Sequence, residues 1–190
     1  QDPEHILQHA VKTALGDGWG GSLLATDVSD ILFGTPAPVL GQANLGVLKE
    51  NMVNAVVHGP EPTLSEMIVA ASQTPEIIEY ARAAGAEGVN LSGICCTANE
   101  ILMRQGIPAA GNFLQQELSI ITGAVEAMVV DVQCIMQALV GLAENFHTKI
   151  ITTSPKVKIK GATHIEFDEH HALTIAKNIL REAIDNYKNR

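Results

Sequence analysis

Short apolar runs alternate with amphipathic stretches from residue 53 onward, and that rhythm predicts strands and helices in turn. Residues 52–57 form a β-branched apolar run, and His58-Gly59-Pro60-Glu61-Pro62 turns the chain. Thr63-Leu64-Ser65-Glu66 reads as a capping box opening a helix to about Ser72. Pro75 starts another helix through Ile77, Ile78, Tyr80 and Ala81, stopped at Gly85. Residues 88–94 give the next strand, followed at once by Cys95-Cys96. A second capping box, Thr97-Ala98-Asn99-Glu100, opens the helix 101–105. Later strands fall at 107–110, 127–132, 149–152 and 164–167, with helices at 115–122 and 133–143 between them. Asp168 caps a long final helix to about Tyr187, with Ile175, Ile179, Leu180 and Ile184 as its core stripe.

Before this rhythm the pattern differs. Asp2 and Pro3 suit the start of a helix whose one face carries Ile6, Leu7, Ala10, Val11, Ala14 and Leu15. The stretch Gly16-Asp17-Gly18-Trp19-Gly20-Gly21 reads as a tight loop leaving that helix, and residues 22–50 read as irregular. Strands and helices in alternation imply βαβ units, a parallel sheet and right-handed crossovers. The fold class is therefore α/β, a Rossmann-like three-layer sandwich with a parallel sheet and an N-terminal helical extension. We read 1–190 as a single domain, with 1–50 the extension and 51–190 the alternating core.

Charge and composition narrow the function classes. Twelve Lys plus Arg stand against 21 Asp plus Glu, a net charge of −9, with no basic cluster of the kind that binds nucleic acid or anionic membranes. No apolar stretch is long enough to predict a membrane span. The three cysteines cannot form an ordinary disulfide framework, and Cys95 with Cys96 would pair only in a strained vicinal bond. Reduced thiols and a cytoplasmic, anaerobic setting are the expectation.

In open parallel sheets ligands sit at the carboxyl ends of the strands. Three predicted strand ends carry metal-ligand residue types: His58, Cys95-Cys96, and Cys134. If those strands are neighbours, their loops converge on a site suited to iron–sulfur, nickel or zinc chemistry. Both cysteine positions are read as helix starts, where the dipole favours a thiolate. The bland alternative is that the cysteines fill tight space where strand meets helix. No G-x-G-x-x-G follows a strand and no G-x-S-x-G elbow appears. His170 and His171 read as solvated, His147 and His164 as surface or capping residues, and Lys156, Lys158 and Lys160 as protection of a sheet edge.

The segment 90–108, Asn-Leu-Ser-Gly-Ile-Cys-Cys-Thr-Ala-Asn-Glu-Ile-Leu-Met-Arg-Gln-Gly-Ile-Pro, closely resembles the nickel-containing anaerobic carbon monoxide dehydrogenase family. Segments 26–36, 44–49, 127–136 and 146–153 carry the same likeness, which runs across nearly the whole chain. The resemblance implies the first Rossmann-like domain of a longer catalytic subunit, and the start Gln1-Asp2-Pro3 agrees with an excised piece. It implies an oxidoreductase that converts carbon monoxide and water to carbon dioxide, with a nickel–iron–sulfur cluster as cofactor and a ferredoxin-type carrier as electron acceptor. Its other implied partners are the remaining domains of the subunit and a second copy in a homodimer.

Residue by residue, Cys96 matches the cysteine on the unique iron, Cys134 a cysteine ligand of the cubane part, and Cys95 a neighbour that is not a ligand. The family's iron-binding histidine falls at Pro60, which cannot ligate, and His58 is the substitute within reach in sequence. Ala98 and Gln137 stand where the family usually has Gly and Pro. With two of the cluster's ligands, the chain alone is expected to be inactive and not to hold the cluster by itself. The alternative is a cluster-free scaffold domain with a degenerate metal site.

Overall fold

The computed structural model describes residues 2–190, so Gln1 lies outside the described residues. They divide into two compact units, one ending at Ala37 and the other spanning Pro38–Arg190.

In the first unit, helix α1 covers Pro3–Gly16, its first turn capped by the Asp2 carboxylate, which accepts the Glu4 N–H at 3.0 Å. The glycine stretch is not the loop its composition predicts. It continues as a π-helical turn, Asp17–Gly21, into helix α2, Ser22–Phe33, and the helix stops only at Gly34, with φ 88°. Each helical glycine costs about 1 kcal/mol relative to alanine. Helix on both sides spares the glycines the nucleation step, and their freedom lets the turn widen.

The second unit is the α/β sandwich that the alternation predicts. Six parallel strands lie in the order β3-β2-β1-β4-β5-β6, with β1 Val53–His58, β2 Val89–Ile94, β3 Ala109–Gly111, β4 Val125–Val130, β5 Lys149–Thr152 and β6 Thr163–His164. Chain order reverses direction beside β1, whose neighbours are β2 and β4. That is the switch point where ligands bind in sheets of this kind.

Helices α3 (Pro62–Ser72), α4 (Pro75–Ala83), α5 (Cys95–Gln105) and α8 (Ala172–Asn186) cover one face. Helices α6 (Gln116–Ile121) and α7 (Ala138–Ala143) cover the other. Val53, Ala55 and Val57 of β1 enter the first core layer and Val56 the second, the period of two expected of a strand buried on both faces. Residues before β1 also join this unit: Val47 is buried in the second layer, and the Asn44 N–H donates to the Ala109 carbonyl at 3.0 Å.

In β4 the period breaks. Val125 packs in the second layer with Met128 and Val130, whereas Ala127 and Val129 face the first. The register against β1 shifts at the same place, Asn54 facing Val125 and Ala55 facing Ala127, which leaves Glu126 as the extra residue of a bulge. Its carboxylate replaces the lost ladder acceptor, taking the Asn54 N–H at 2.6 Å.

Three helix starts differ from expectation. Helix α3 is capped by Glu61, whose carboxylate accepts the Thr63 and Leu64 N–H groups at 3.1 and 2.5 Å, so Glu66 turns inward and is buried. Helix α5 begins at Cys95, ahead of Thr97. The helix predicted at 133–143 forms only from Ala138, because Cys134 has φ 61° and breaks it.

In β2, Ser92 is fully buried and its Oγ has no hydrogen-bond partner among the described residues. Ser92→Ala removes that unsatisfied group without opening a cavity. It should raise stability by about 1 kcal/mol in urea unfolding, whereas a loss of that size would show that Oγ is bonded in solution.

Candidate metal centre

The ends of β2 and β4 flank the end of β1, and they bring the cysteines together. Cys95, Cys96 and Cys134 all line one depression of about 640 Å³. Cys96 and Cys134 are exposed and so are not the core filling that the bland reading expects, whereas Cys95 is half-buried and does pack against the second core layer. Cys95 and Cys134 share the left-handed backbone conformation, φ 62° and 61°, and among the described residues no other non-glycine does. For a side chain that conformation costs energy, and such outliers gather at functional sites. Here both occur on the wall of one depression.

Burial pushes the Cys95 thiol up to about 11, and the neighbouring Cys134 and Cys96 sulfurs add to the rise. Burial likewise raises Cys96, followed by Cys134 and Asp131. The start of α5 thus does not make these groups thiolates. They are protonated near neutral pH, and a bound metal must displace their protons. Cys134, at its left-handed turn, is not at a helix start.

The loop after β1 is clamped from both sides. The Gly59 carbonyl accepts the Thr97 N–H at 2.7 Å and the Thr97 hydroxyl as well, tying it to the first turn of α5. Thr97 is therefore a clamp between two strand ends rather than a helix cap. On the other side Asp131, just past β4, accepts the Glu61 N–H at 2.8 Å and the Val132 N–H. Burial pushes the Asp131 carboxyl up to about 6, against the pull of those N–H groups.

None of the predicted histidines lines the depression, although His58 lies within hydrogen-bond reach of the Cys134 backbone. His58 is fully buried, with Nε2 3.0 Å from Gln116 Oε1, and does not line the depression. Burial holds its imidazole below the usual value, the Gln116 bond opposing. His147 is not a surface residue: its side chain is 9% exposed and sits 3.0 Å from Glu126. His171, exposed, pairs with Asp168 at 2.7 Å.

Sequence reasoning missed Asn99, Asn112, Phe113 and Gln115, which complete the wall. A polar cluster on the turn after β3 signals Asn112 and Gln115, and Asn99 sits in the first turns of α5 just after the cysteines. Against the cluster implied above, the wall meets the sulfur donors and misses the imidazole. Among the described residues, no group of three or more His, Cys, Asp or Glu is arranged to hold a metal ion.

Comparisons with known proteins agree with this geometry. The Prismane/CO dehydrogenase family matches residues 1–190. The carbon monoxide dehydrogenase 1 of Methanosarcina mazei is 56% identical over 189 residues, covering 100% of this chain and 30% of that protein. The carbon monoxide dehydrogenase 1 of Carboxydothermus hydrogenoformans is 55% identical, with 100% and 29% covered. Among solved structures, a nickel-free carbon monoxide dehydrogenase from Thermococcus sp. AM4 superposes with a TM-score of 0.97 at 58% identity, over 100% of this chain and 30% of that one. The chain thus spans about 30% of the length of the relatives it matches. A family match from end to end, together with near-superposition on a carbon monoxide dehydrogenase, shows that this chain belongs to the Prismane/CO dehydrogenase family.

Proposed function

We propose that this chain is the part of a carbon monoxide dehydrogenase that forms one wall of a nickel–iron–sulfur site, with Cys96 and Cys134 as sulfur ligands. The observation that carries this reading is the convergence of both thiols at the strand-order switch point, one from the end of β2 and one from beyond β4. The reaction is the oxidation of carbon monoxide with water to carbon dioxide, releasing two protons and two electrons to a ferredoxin-type carrier. When bound, the cluster supplies the redox chemistry. The chain supplies sulfur, a clamped loop and a wall of carboxamides.

Further ligands must come from outside these residues, so the chain by itself is inactive. Its partners are the other domains of the subunit and a second subunit in a homodimer, and its compartment is the cytoplasm. Among the described residues no helix is long and apolar enough to cross a membrane.

A second reading, a cluster-free scaffold, is favoured by Pro60 and the buried His58. Metal analysis of the full-length subunit after anaerobic loading with nickel, ferrous iron and sulfide separates the two. Bound nickel that Cys96→Ala and Cys134→Ala each abolish is the expected result. A subunit free of nickel establishes the scaffold, and nickel that survives both substitutions removes these cysteines from the site.

A further inference from the structure

The wall segment after β3 carries hydrogen-bond donors whose direction is fixed. A backbone N–H only donates, so the carboxamide atom facing it is the oxygen. The Leu114 N–H meets Asn112 Oδ1 at 2.9 Å, and the Asn112 N–H meets Gln115 Oε1 at 3.0 Å. Both carboxamide nitrogens are left over, and neither has a partner among the described residues. Asn99, in the first turns of α5, makes no side-chain hydrogen bond to them either. All three residues are exposed, and all three line the depression that holds the thiols.

The segment is braced as well as oriented. A Cβ on Gly111 would lie 2.7 Å from Gln115 Oε1 and 2.9 Å from Gln115 Cβ, so the glutamine is seated directly on the end of β3. Behind it, buried Gln116 donates to the Phe113 carbonyl at 2.8 Å, and its Oε1 accepts from His58 Nε2 at 3.0 Å. Donors held in this way need no reorganisation to meet a charge.

The rest of the lining says which charge that is. Among the described residues no Lys, Arg or His lines the depression. Thiols that bind a metal give up their protons, and reduction of the metal centre adds a further negative charge. The carboxamides are the side-chain N–H donors that this wall can set against it.

We infer that Asn99, Asn112 and Gln115 donate N–H groups to the sulfur of a metal centre held by Cys96 and Cys134, and so raise its reduction potential. They are not ligands; they act through the sulfurs. The inference rests on reading the depression as a metal wall. Hydrogen bonds to sulfur are among the levers that set the potential of iron–sulfur centres, and each donor removed disfavours the reduced form.

The test is a redox titration of the full-length subunit, loaded anaerobically with nickel, ferrous iron and sulfide. The readout is the paramagnetic resonance signal that Cys96→Ala removes. Asn99→Ala and Asn112→Ser should each lower the midpoint potential of that signal, and the double variant should lower it further. Serine keeps an oxygen for the Leu114 N–H, so the cap survives. The expected size is about a tenfold weaker reduction equilibrium for each variant, about 59 mV for one electron, as for one hydrogen bond to a charged group.

A potential unchanged or raised in both variants, with the cysteine-dependent signal present, overturns the donor role and leaves the metal wall standing. If Asn112→Ser no longer loads, Asn99→Ala decides alone, because the Asn99 side chain supports no other described group. The absence of any cysteine-dependent signal in the parent subunit overturns the metal wall and the inference with it.

Discussion

Glu126→Ala is expected to cost the sheet unit about 3 kcal/mol, toward the lower end of the loss typical when one partner of a buried charged pair is removed, since only the carboxylate is fully buried. The Glu126 side chain is fully buried, yet it meets four donors. Asn54 N–H reaches it at 2.6 Å, His147 Nε2 at 3.0 Å, Arg190 Nε at 2.8 Å and Arg190 Nη2 at 2.7 Å. Arg190 also donates to the carbonyls of Met52 and Ala124 at 2.8 and 3.0 Å and lies over the Tyr187 ring, 4.8 Å from its centre. Asn186 completes the tie, donating to the Glu126 carbonyl at 2.8 Å. One carboxylate thus fastens the end of the last helix to the amino-terminal edge of β1 and β4.

Alanine would leave the Asn54 N–H without its acceptor and the guanidinium without its counter-charge. Urea unfolding measures the loss. Because the Glu126 carboxylate is fully buried and the Arg190 side chain is only 20% exposed, most of the loss should persist in high salt, where a fully exposed pair would be screened. Arg190→Ala should cost a comparable amount, and the double variant much less than the sum, since one interaction is removed twice. A loss under about 1 kcal/mol for Glu126→Ala would mean that the pair behaves as a surface one.

This device also shows where sequence reading stops. The β-branched runs around Val56, Val129 and Ile151 announce parallel strands buried on both faces, and the structure bears that out. Glu126 interrupts such a run, so a period of two starts β4 at Ala127 and leaves the glutamate outside. The strand begins at Val125 because a bulge absorbs the charge, and its partners at 54, 147 and 190 are distant in sequence.

The same distance hid the bond to His58, whose partner Gln116 comes from α6, 58 residues further along the chain. That Pro60 cannot ligate is plain from its chemistry, but that His58 is buried with Nε2 bonded to Gln116 follows only from the packing. Convergence of the cysteines was legible as a condition, if the three strands were neighbours. Strand order supplies that condition. The left-handed turn at Cys134 was not legible, because Gln133 to Ala143 has a helical pattern with no breaker before it.

Gly59→Ala should be as damaging as the loss of Glu126, by at least about 3 kcal/mol, and it should also disturb the thiols. Gly59 has φ 135°, a conformation that side chains rarely adopt. A Cβ there would lie 1.7 Å from Asp131 Oδ1 and 2.2 Å from its Cγ. Asp131 cannot retreat, being buried and bonded to the Glu61 and Val132 N–H groups. The loop must move instead. Its Gly59 carbonyl is the anchor for Thr97, so the first turn of α5 moves with it and carries Cys95 and Cys96.

Two measurements follow the two consequences. Urea unfolding gives the stability loss, and labelling by a thiol reagent should change in rate at Cys96 relative to the parent chain. Combining Gly59→Ala with Asp131→Ala separates the causes. Removing the carboxylate abolishes the clash but not the unfavourable φ, which alone costs about 1–3 kcal/mol. The glycine substitution should therefore cost clearly less in the Asp131→Ala background than in the parent. An equal cost in both would assign the whole effect to the backbone angle and none to the carboxylate that the glycine makes room for.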